Sequence, residues 1–335
     1  MMPPPKVKVL FYHAHFFNSS ETFIYQQVIN PYIEPLLLAK RFINSTGMSS
    51  DPFNKIQFKR TWWDGLISNV LIAFGIDRYY QNTSIKQLTE KISKNKPDVL
   101  HAQFGFSAVR ILPVAKKLKL PLIVSFHGMD ASHMLRKRPY VNGLKDVFVY
   151  AAAIVVCNPA MTEVLPLTPE QKQKVVWVPY GINLGQFDSQ PRIESKSVSI
   201  LHVGRLIEKK GVPDLILAFA KLTTRQQVLL HVVGTGPEEE KCKQLVETLN
   251  LKDRVIFHGW KSPDEVKNLM QQADVFVLNS RVASNGDSEG LPVGILEAMT
   301  MELPVVSTYH AGIPYEVEHQ VTGLLVQEKD TGALA

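Results

Sequence analysis

The chain is poor in cysteine. Only Cys157 and Cys242 occur in 335 residues. Two are too few to staple a fold of this length, which excludes a disulfide scaffold and suggests a reducing compartment. Long apolar runs are also missing: none reaches the roughly 18 residues that a membrane-crossing helix needs. The opening stretch MMPPPKVKVLFYHAHF has no extended apolar segment and no small-residue cleavage site. No signal peptide is therefore expected, and the expected location is the cytoplasm. No His, Cys or Asp cluster has the spacing of metal ligands. A nucleic-acid partner is not expected either, because no basic patch with stacking aromatics forms a recognisable module.

What remains is ordinary globular composition, 45% hydrophobic and 20% charged, which argues against disorder, collagen and coiled coil. At roughly 150 residues per domain the length suggests two domains. The net charge of +6 is unevenly placed: residues 1–190 hold 22 Lys and Arg against 12 Asp and Glu, whereas residues 191–335 hold 15 against 19. A basic first half suits an anionic partner such as a membrane surface or an acidic substrate, although solubility alone can explain surface charge.

The pattern along the chain is strand, helix, strand, repeated. Strand-like runs stand at Lys6–Tyr12, Asp98–Ala102, Leu122–Phe126, Ala153–Cys157 and Val175–Val178, with helical, Lys-rich stretches at Ser84–Lys94 and Arg110–Leu118. Ser19 or Ser20 is positioned to cap a helix through SETFIY. The polar stretch DSQPRIESKS, residues 188–197, reads as a linker. After it the alternation restarts with SILHV, VLLHVV, VIF, VFVL and VVS. The fold class expected is α/β, two Rossmann-like domains facing across a cleft, over residues 1–190 and 191–335.

Four strand-to-helix turns carry residues suited to chemistry. The first runs Gly204-Arg205-Leu-Ile-Glu-Lys-Lys210-Gly211 ahead of a helix near Pro213. Arg205 and Lys210 flank a helix start that itself attracts anions, so the loop suits a diphosphate, or is simply a solvated basic loop. The second holds Gly234 and Gly236; Glu239 stands where a third glycine would complete a dinucleotide fingerprint, which weakens that reading. The third is Ser288-Glu289-Gly290-Leu-Pro-Val-Gly-Ile-Leu-Glu297. Pro292 fits a first helical turn, Glu289 lies at or before the helix start, and Glu297 is able to accept two hydrogen bonds from a ribose diol. A capping acid and a solvated helix residue are the plainer alternative. The fourth pairs His127 and Asp130 after LIVSF, with His101 on the neighbouring DVLHA strand. A lone histidine of this kind is often structural.

Taken together these residues resemble the retaining, nucleotide-sugar-dependent glycosyltransferases of the GT-B fold, family four, and most of all the branch that builds bacterial exopolysaccharide. The collinear segments GRLIEKKG, HVVGTGP, VIFHGW, ADVFVLNS, DSEGLPVGILEAM, LPVVSTYHAGIP and VTGLLV carry the resemblance over residues 200–327, with a looser match through SETFI, DVLHAQFG, SFHGMD and VPYGIN. The family signature of two glutamates separated by seven residues is Glu289 and Glu297. The resemblance implies that Arg205 and Lys210 bind the donor diphosphate, that Glu297 holds the ribose, and that Glu289 contacts the transferred sugar. It implies that Gly290, Leu291 and Val293 approach sugar and phosphate, that Gly234, Gly236 and Gly259 line the donor side with the turn at Gly259 against the base, that His127 contacts the sugar, and that Asp130 and His101 face the acceptor. No cofactor beyond the nucleotide-sugar co-substrate is implied, UDP being the default base, and the implied mechanism is front-face retention without an enzyme nucleophile. The first domain would bind the acceptor, a glycan or polyprenyl-diphosphate-linked sugar.

Departures from the family pattern are FNSSETF in the first loop, Glu302-Leu303 before Pro304, and Tyr315 followed by Glu316 after Gly-Ile-Pro. The chain stops at GALA where the family continues, so the expected second domain is incomplete. Trp62-Trp63 and the short apolar run after them, with the basic stretches at 110–119 and 136–138, are compatible with a peripheral seat on the inner membrane face or with a core helix. A non-catalytic remnant and a GT-B nucleotide-sugar epimerase or hydrolase are the alternative functions.

Overall fold

The structure is a computed structural model that describes residues 6–18, 21–43, 48–49, 51–58, 82–186, 197–224 and 226–335. The expected cap at Ser19 or Ser20, the Trp62-Trp63 run and all of the 188–197 linker except its last residue lie outside the described residues. The chain divides into two compact units, Met1–Gly181 and Ile182–Ala335.

The first unit is built on a seven-stranded sheet of β1 (Val7–Tyr12), β3 (Ile33–Ala39), β5 (Asn54–Gln57), β6 (Val99–Gln103), β7 (Leu122–Phe126), β8 (Ala153–Val156) and β9 (Val175–Trp177), in the order β5-β3-β1-β6-β7-β8-β9. Each neighbouring pair runs parallel. A minor pair, β2 (His15–Phe16) and β4 (Arg41–Phe42), lies apart from it. The main helices are α1 (Thr22–Val28), α2 (Asn82–Asn95), α3 (Gly105–Leu118) and α4 (Arg138–Tyr150). Strands of a covered parallel sheet are buried on both faces, which explains why β1 and β7 read as nearly continuous apolar runs.

The second unit repeats the plan in a six-stranded parallel sheet. Its strands are β10 (Ser197–Val203), β11 (Gln227–Val233), β12 (Val255–Gly259), β13 (Val275–Leu278), β14 (Val305–Thr308) and β15 (Gly323–Val326), in the order β12-β11-β10-β13-β14-β15. The helices are α5 (Val212–Ala220), α6 (Glu239–Thr248), α7 (Pro263–Gln272) and α8 (Val293–Thr300). Local chemistry sets their starts. Pro stands in the first turn of α5 and α7, where a missing N–H costs nothing, and Ser262 and Glu265 form a reciprocal capping box on α7. Two buried clusters fill the core around the sheet, one around Phe276 and Ile295, the other around Leu230 and Phe219.

Both orders reverse direction beside the first strand of the unit, between β1 and β6 and between β10 and β13. Doubly wound sheets bind ligands at such switch points, beyond the carboxyl ends of the strands. In the second unit the loops at that end are stitched together: Gly204 N–H donates to the Val233 carbonyl at 3.0 Å, Leu206 N–H to Thr235 at 2.9 Å, and Gly234 N–H to Gly259 at 2.8 Å. Gly234 has φ +126°, and a Cβ there would overlap the Gly204 carbonyl; a Cβ on Gly236 would overlap the Leu206 backbone. These glycines are required by the packing of one loop on another. Gly259, at φ +66°, has open space around the Cβ position.

This contrast predicts different costs for the same substitution. Gly234→Ala is expected to destabilise the fold by at least about 2 kcal/mol, from strain plus overlap. Gly259→Ala should cost only about 1 kcal/mol, the left-handed backbone alone. Thermal or urea unfolding of the two variants checks the order.

Candidate functional site

In the second unit the loop after β10 turns back on β13. Gly211 (φ +65°) leads into α5, and its carbonyl accepts the Asn279 side-chain amide at 2.8 Å. A short helical turn over Glu208–Lys210 aims two lysines at the loop before α8. Lys210 Nζ lies 2.8 Å from Glu289 Oε1. Lys209, only 8% exposed, lies 3.7 Å from the other Glu289 oxygen, 3.3 Å from Asp287 and 3.2 Å from the Ser288 carbonyl. Burial would raise the Glu289 carboxyl, but Lys210 and Lys209 overcome it and hold the group at about 2. The charge is therefore kept at any ordinary pH; its stabilising contribution is complete above the usual carboxylate range and is lost as pH falls through about 2.

Helix α8 begins one residue later than the sequence suggests, because Pro292 is its N-cap and Val293 its first residue. Gly290 and Leu291 are buried in the approach, and no side chain caps the helix start. Glu297 lies along α8, and burial raises its carboxyl to about 7. Among the described residues no hydrogen bond or ion pair engages that carboxylate. Arg205 is exposed. The structure adds Lys209, Asp287 and Glu316 to the residues singled out from sequence. Both Glu316 oxygens are buried without a partner, and burial, with Glu289 adding to it, raises that carboxyl to about 9. It is a neutral acid beside an ionised one.

In the first unit the carboxyl ends of β1, β6 and β7 meet around His127. Its Nε2 is 2.8 Å from Gln103 Oε1 and its Nδ1 2.7 Å from the Tyr180 hydroxyl. Gln103 spends its amide N–H on Gln27 Oε1 at 2.9 Å, so its oxygen faces the ring. His127 then carries its proton on Nε2 and accepts from Tyr180 on Nδ1. Phe23 and Phe104 pack on the imidazole with centroids at 4.7 Å, and Phe23 stacks on Tyr180 at 4.3 Å. Burial, with His101 and His13 adding to it, lowers the imidazole well below its usual range, so it is neutral. Phe104 holds a φ of 71°, a strained conformation for a bulky residue that costs roughly 1–3 kcal/mol and is typical of functional loops.

The two residues expected on the acceptor side point inward. Asp130 is fully buried; its carboxylate accepts the backbone N–H groups of Gly105 at 2.8 Å, His127 at 2.9 Å and Gly128 at 3.1 Å. It caps the start of α3 and fixes the His127 turn, while burial raises it to about 6. His101 Nε2 bonds Ser125 Oγ at 2.7 Å within the sheet, and burial lowers it to about 4. Gln103, Tyr180 and Phe23 were not singled out from sequence, although Gln103 ends β6 and Tyr180 follows β9, at the carboxyl ends of strands. Among the described residues no group of three or more His, Cys, Asp or Glu could hold a metal ion.

Two parallel doubly wound units, each with its strand order reversing beside the first strand, have the build of the GT-B fold. Family models narrow this: one for glycosyl transferases group 1 matches residues 186–335, and one for glycosyltransferase family 4 matches residues 61–186. The chain belongs to glycosyltransferase family 4. It is similar to WcaL of Escherichia coli K12, named for colanic acid biosynthesis, at 33% identity over 72% of this chain and 60% of WcaL. It is similar to the amylovoran biosynthesis glycosyltransferase AmsK of Erwinia amylovora, at 31% identity over 79% of this chain and 67% of AmsK. The match thus spans about 60% of the length of WcaL. Among solved structures, Anabaena Alr3699/HepE in complex with UDP and glucose shares the fold with a TM-score of 0.77 at 18% identity, over 98% of this chain and 88% of that one.

The two cations of the second unit should behave differently when removed. Lys209→Ala leaves Asp287 and Glu289 short of a buried counter-charge and is expected to cost about 3 kcal/mol. Arg205→Ala should leave stability within about 0.5 kcal/mol of the parent, as for a typical surface change. Melting curves of both variants check this.

Proposed function

We propose that the chain is a retaining glycosyltransferase that moves a sugar from a nucleotide-diphosphate sugar, UDP-linked by default, to a glycan or polyprenyl-diphosphate-linked acceptor in cell-surface polysaccharide synthesis. The observation that carries this is the cluster of Lys209, Lys210 and Glu289 ahead of the uncapped start of α8, with the unpartnered Glu297 along the same helix. Helix-start N–H groups and a lysine suit a diphosphate. Glu297 suits a ribose diol. In this reading Lys210 leaves Glu289 to meet the donor phosphate, and the freed carboxylate accepts hydroxyls of the transferred sugar. Arg205 joins the diphosphate from solvent.

The chemical step is then mostly positioning and charge stabilisation. Lysine charge stabilises the leaving diphosphate as the glycosidic bond breaks, and the leaving phosphate takes the acceptor proton on the same face. His127 offers a neutral, oriented imidazole to a sugar hydroxyl rather than a nucleophile or a strong base. The first unit takes the acceptor and the second the donor, with no metal in the reaction. Among the described residues no helix is long and apolar enough to cross a membrane. A cytoplasmic enzyme held peripherally at the anionic inner face by the basic first half fits a lipid-linked acceptor.

Calorimetry with UDP-, GDP- and ADP-sugars tests the donor site. One nucleotide series should bind, Glu297→Ala should weaken it, and Lys210→Ala should weaken it further, each by about tenfold or more (about 1.4 kcal/mol). Unchanged affinity in both variants sinks the site. The pH dependence adds a second check. A carboxyl near 7 must ionise to accept both ribose hydroxyls, so affinity should rise from pH 6 to 8 and lose that slope in Glu297→Gln. His127→Ala should bind the donor normally and lose transfer by about a hundredfold or more. Transfer at the parent rate makes His127 structural.

A further inference from the structure

Glu289 sits on a stretch without helix or strand, residues 286–292, so something outside that stretch must fix it. His310 does so. It follows β14, is 1% exposed, and its Nε2 accepts the Glu289 backbone N–H at 3.1 Å, with Ser288 Oγ at 3.2 Å. A backbone N–H only donates, so Nε2 must present its lone pair and the ring proton must sit on Nδ1. That atom lies 2.6 Å from Glu328 Oε1, just beyond β15. The second Glu328 oxygen accepts the Val282 N–H at 3.0 Å. One carboxylate therefore ties the end of β15 to the loop entering the site and, through His310, to the loop carrying Glu289.

We propose that Glu328 and His310 form a positioning pair for Glu289: Glu328 fixes the imidazole tautomer, and the imidazole fixes the backbone that aims the Glu289 carboxylate at the transferred sugar. The pair acts through Glu289 and touches neither sugar nor phosphate. Among the described residues the hydrogen-bond partners of the His310 ring are Glu328, Ser288 and the Glu289 backbone, and the latter two meet Nε2, so neither competes for the Nδ1 proton. This rests on the assignment of Glu289 to the sugar made above.

The test separates the sugar from the nucleotide. Affinity for UDP and for UDP-glucose, UDP-galactose and UDP-N-acetylglucosamine is measured by calorimetry on the full chain, for the parent, His310→Phe, Glu328→Ala, Glu328→Gln and Glu289→Gln. Long-range ¹H–¹⁵N spectra of the parent report the His310 tautomer without any donor. The proposal expects an Nδ1–H tautomer. It also expects His310→Phe and Glu328→Ala to lose about tenfold or more in UDP-sugar affinity (about 1.4 kcal/mol) while UDP binding holds within about twofold, and Glu328→Gln, which keeps one acceptor, to retain most of it. Glu328 is 27% exposed, so its alanine variant keeps the test open if His310→Phe does not fold. An Nε2–H tautomer overturns the proposal. So does a parent-like UDP-sugar to UDP ratio in both pair variants while Glu289→Gln loses it. A Glu289→Gln variant that keeps the ratio overturns the sugar assignment and the pair's role together.

Discussion

The second unit's site depends on one buried electrostatic arrangement, a glutamate held between two lysines. Charges are costly to bury singly, and a pair stays ionised only when hydrogen bonds and opposite charges compensate each one. Glu289 meets that condition through Lys209 and Lys210, and Lys209 meets it through Asp287 and the Ser288 carbonyl. The two lysines are adjacent in sequence but differently employed. Lys209 is committed to the loop by three partners, whereas among the described residues Lys210 makes its ion pair with Glu289. Sequence logic chose Lys210 because it stands at the helix start. It had no means of separating the two, since burial and partner count are tertiary facts.

The cluster keeps its geometry because the loops around it are packed on one another. Gly234 and Gly236 let the second strand-to-helix turn lie against Gly204 and Leu206, and Asn279 holds the Gly211 carbonyl. Read from sequence, such glycines suggest close approach of a ligand. In the structure the close approach is that of neighbouring backbone. The two roles are compatible: a phosphate cradle needs a rigid wall, and the glycines allow the wall to be built from two loops at van der Waals distance.

The alternation of strands and helices was legible because parallel strands buried on both faces leave nearly unbroken apolar runs. Leu122–Phe126 and Val275–Leu278 match their expected limits without change. Three strands of the two main sheets were not legible, nor was the minor pair β2 and β4. β3 contains Pro35, which argues against a strand; here Pro35 pairs with Val9 of β1 and lies one residue ahead of the β5 ladder, which starts at Leu36. β5 is a four-residue edge strand with two polar ends, and β15 is a short edge strand behind a turn. The candidate residues followed the same division. Glu289 and Glu297 were singled out by their spacing around the start of α8, and His127 by its place directly after β7. The inward turn of Asp130 was not, because an acid two residues after a glycine gives no sign of which backbone N–H groups it will meet.

The two units share a strand order but present opposite chemistry at their switch points. The partners of the His127 ring are neutral or aromatic: burial holds the imidazole uncharged, Gln103 and Tyr180 supply directed hydrogen bonds, and Phe23 and Phe104 supply flat faces, while the Asp130 carboxylate is spent on backbone N–H groups. Around Glu289 stand the charged side chains of Lys209, Lys210 and Asp287, with the neutral Glu316 beside them. A neutral hydroxyl compound gains most from oriented hydrogen bonds and aromatic surface, and an anionic diphosphate gains most from fixed positive charge. Bulk charge runs the other way, since residues 1–190 carry the positive excess and residues 191–335 are net acidic. The phosphate-suited site thus lies in the acidic half and owes its character to two placed lysines. The surplus of basic residues in the first half has no such site to serve around His127. Surface charge of that sign serves solubility as well as suiting an anionic partner.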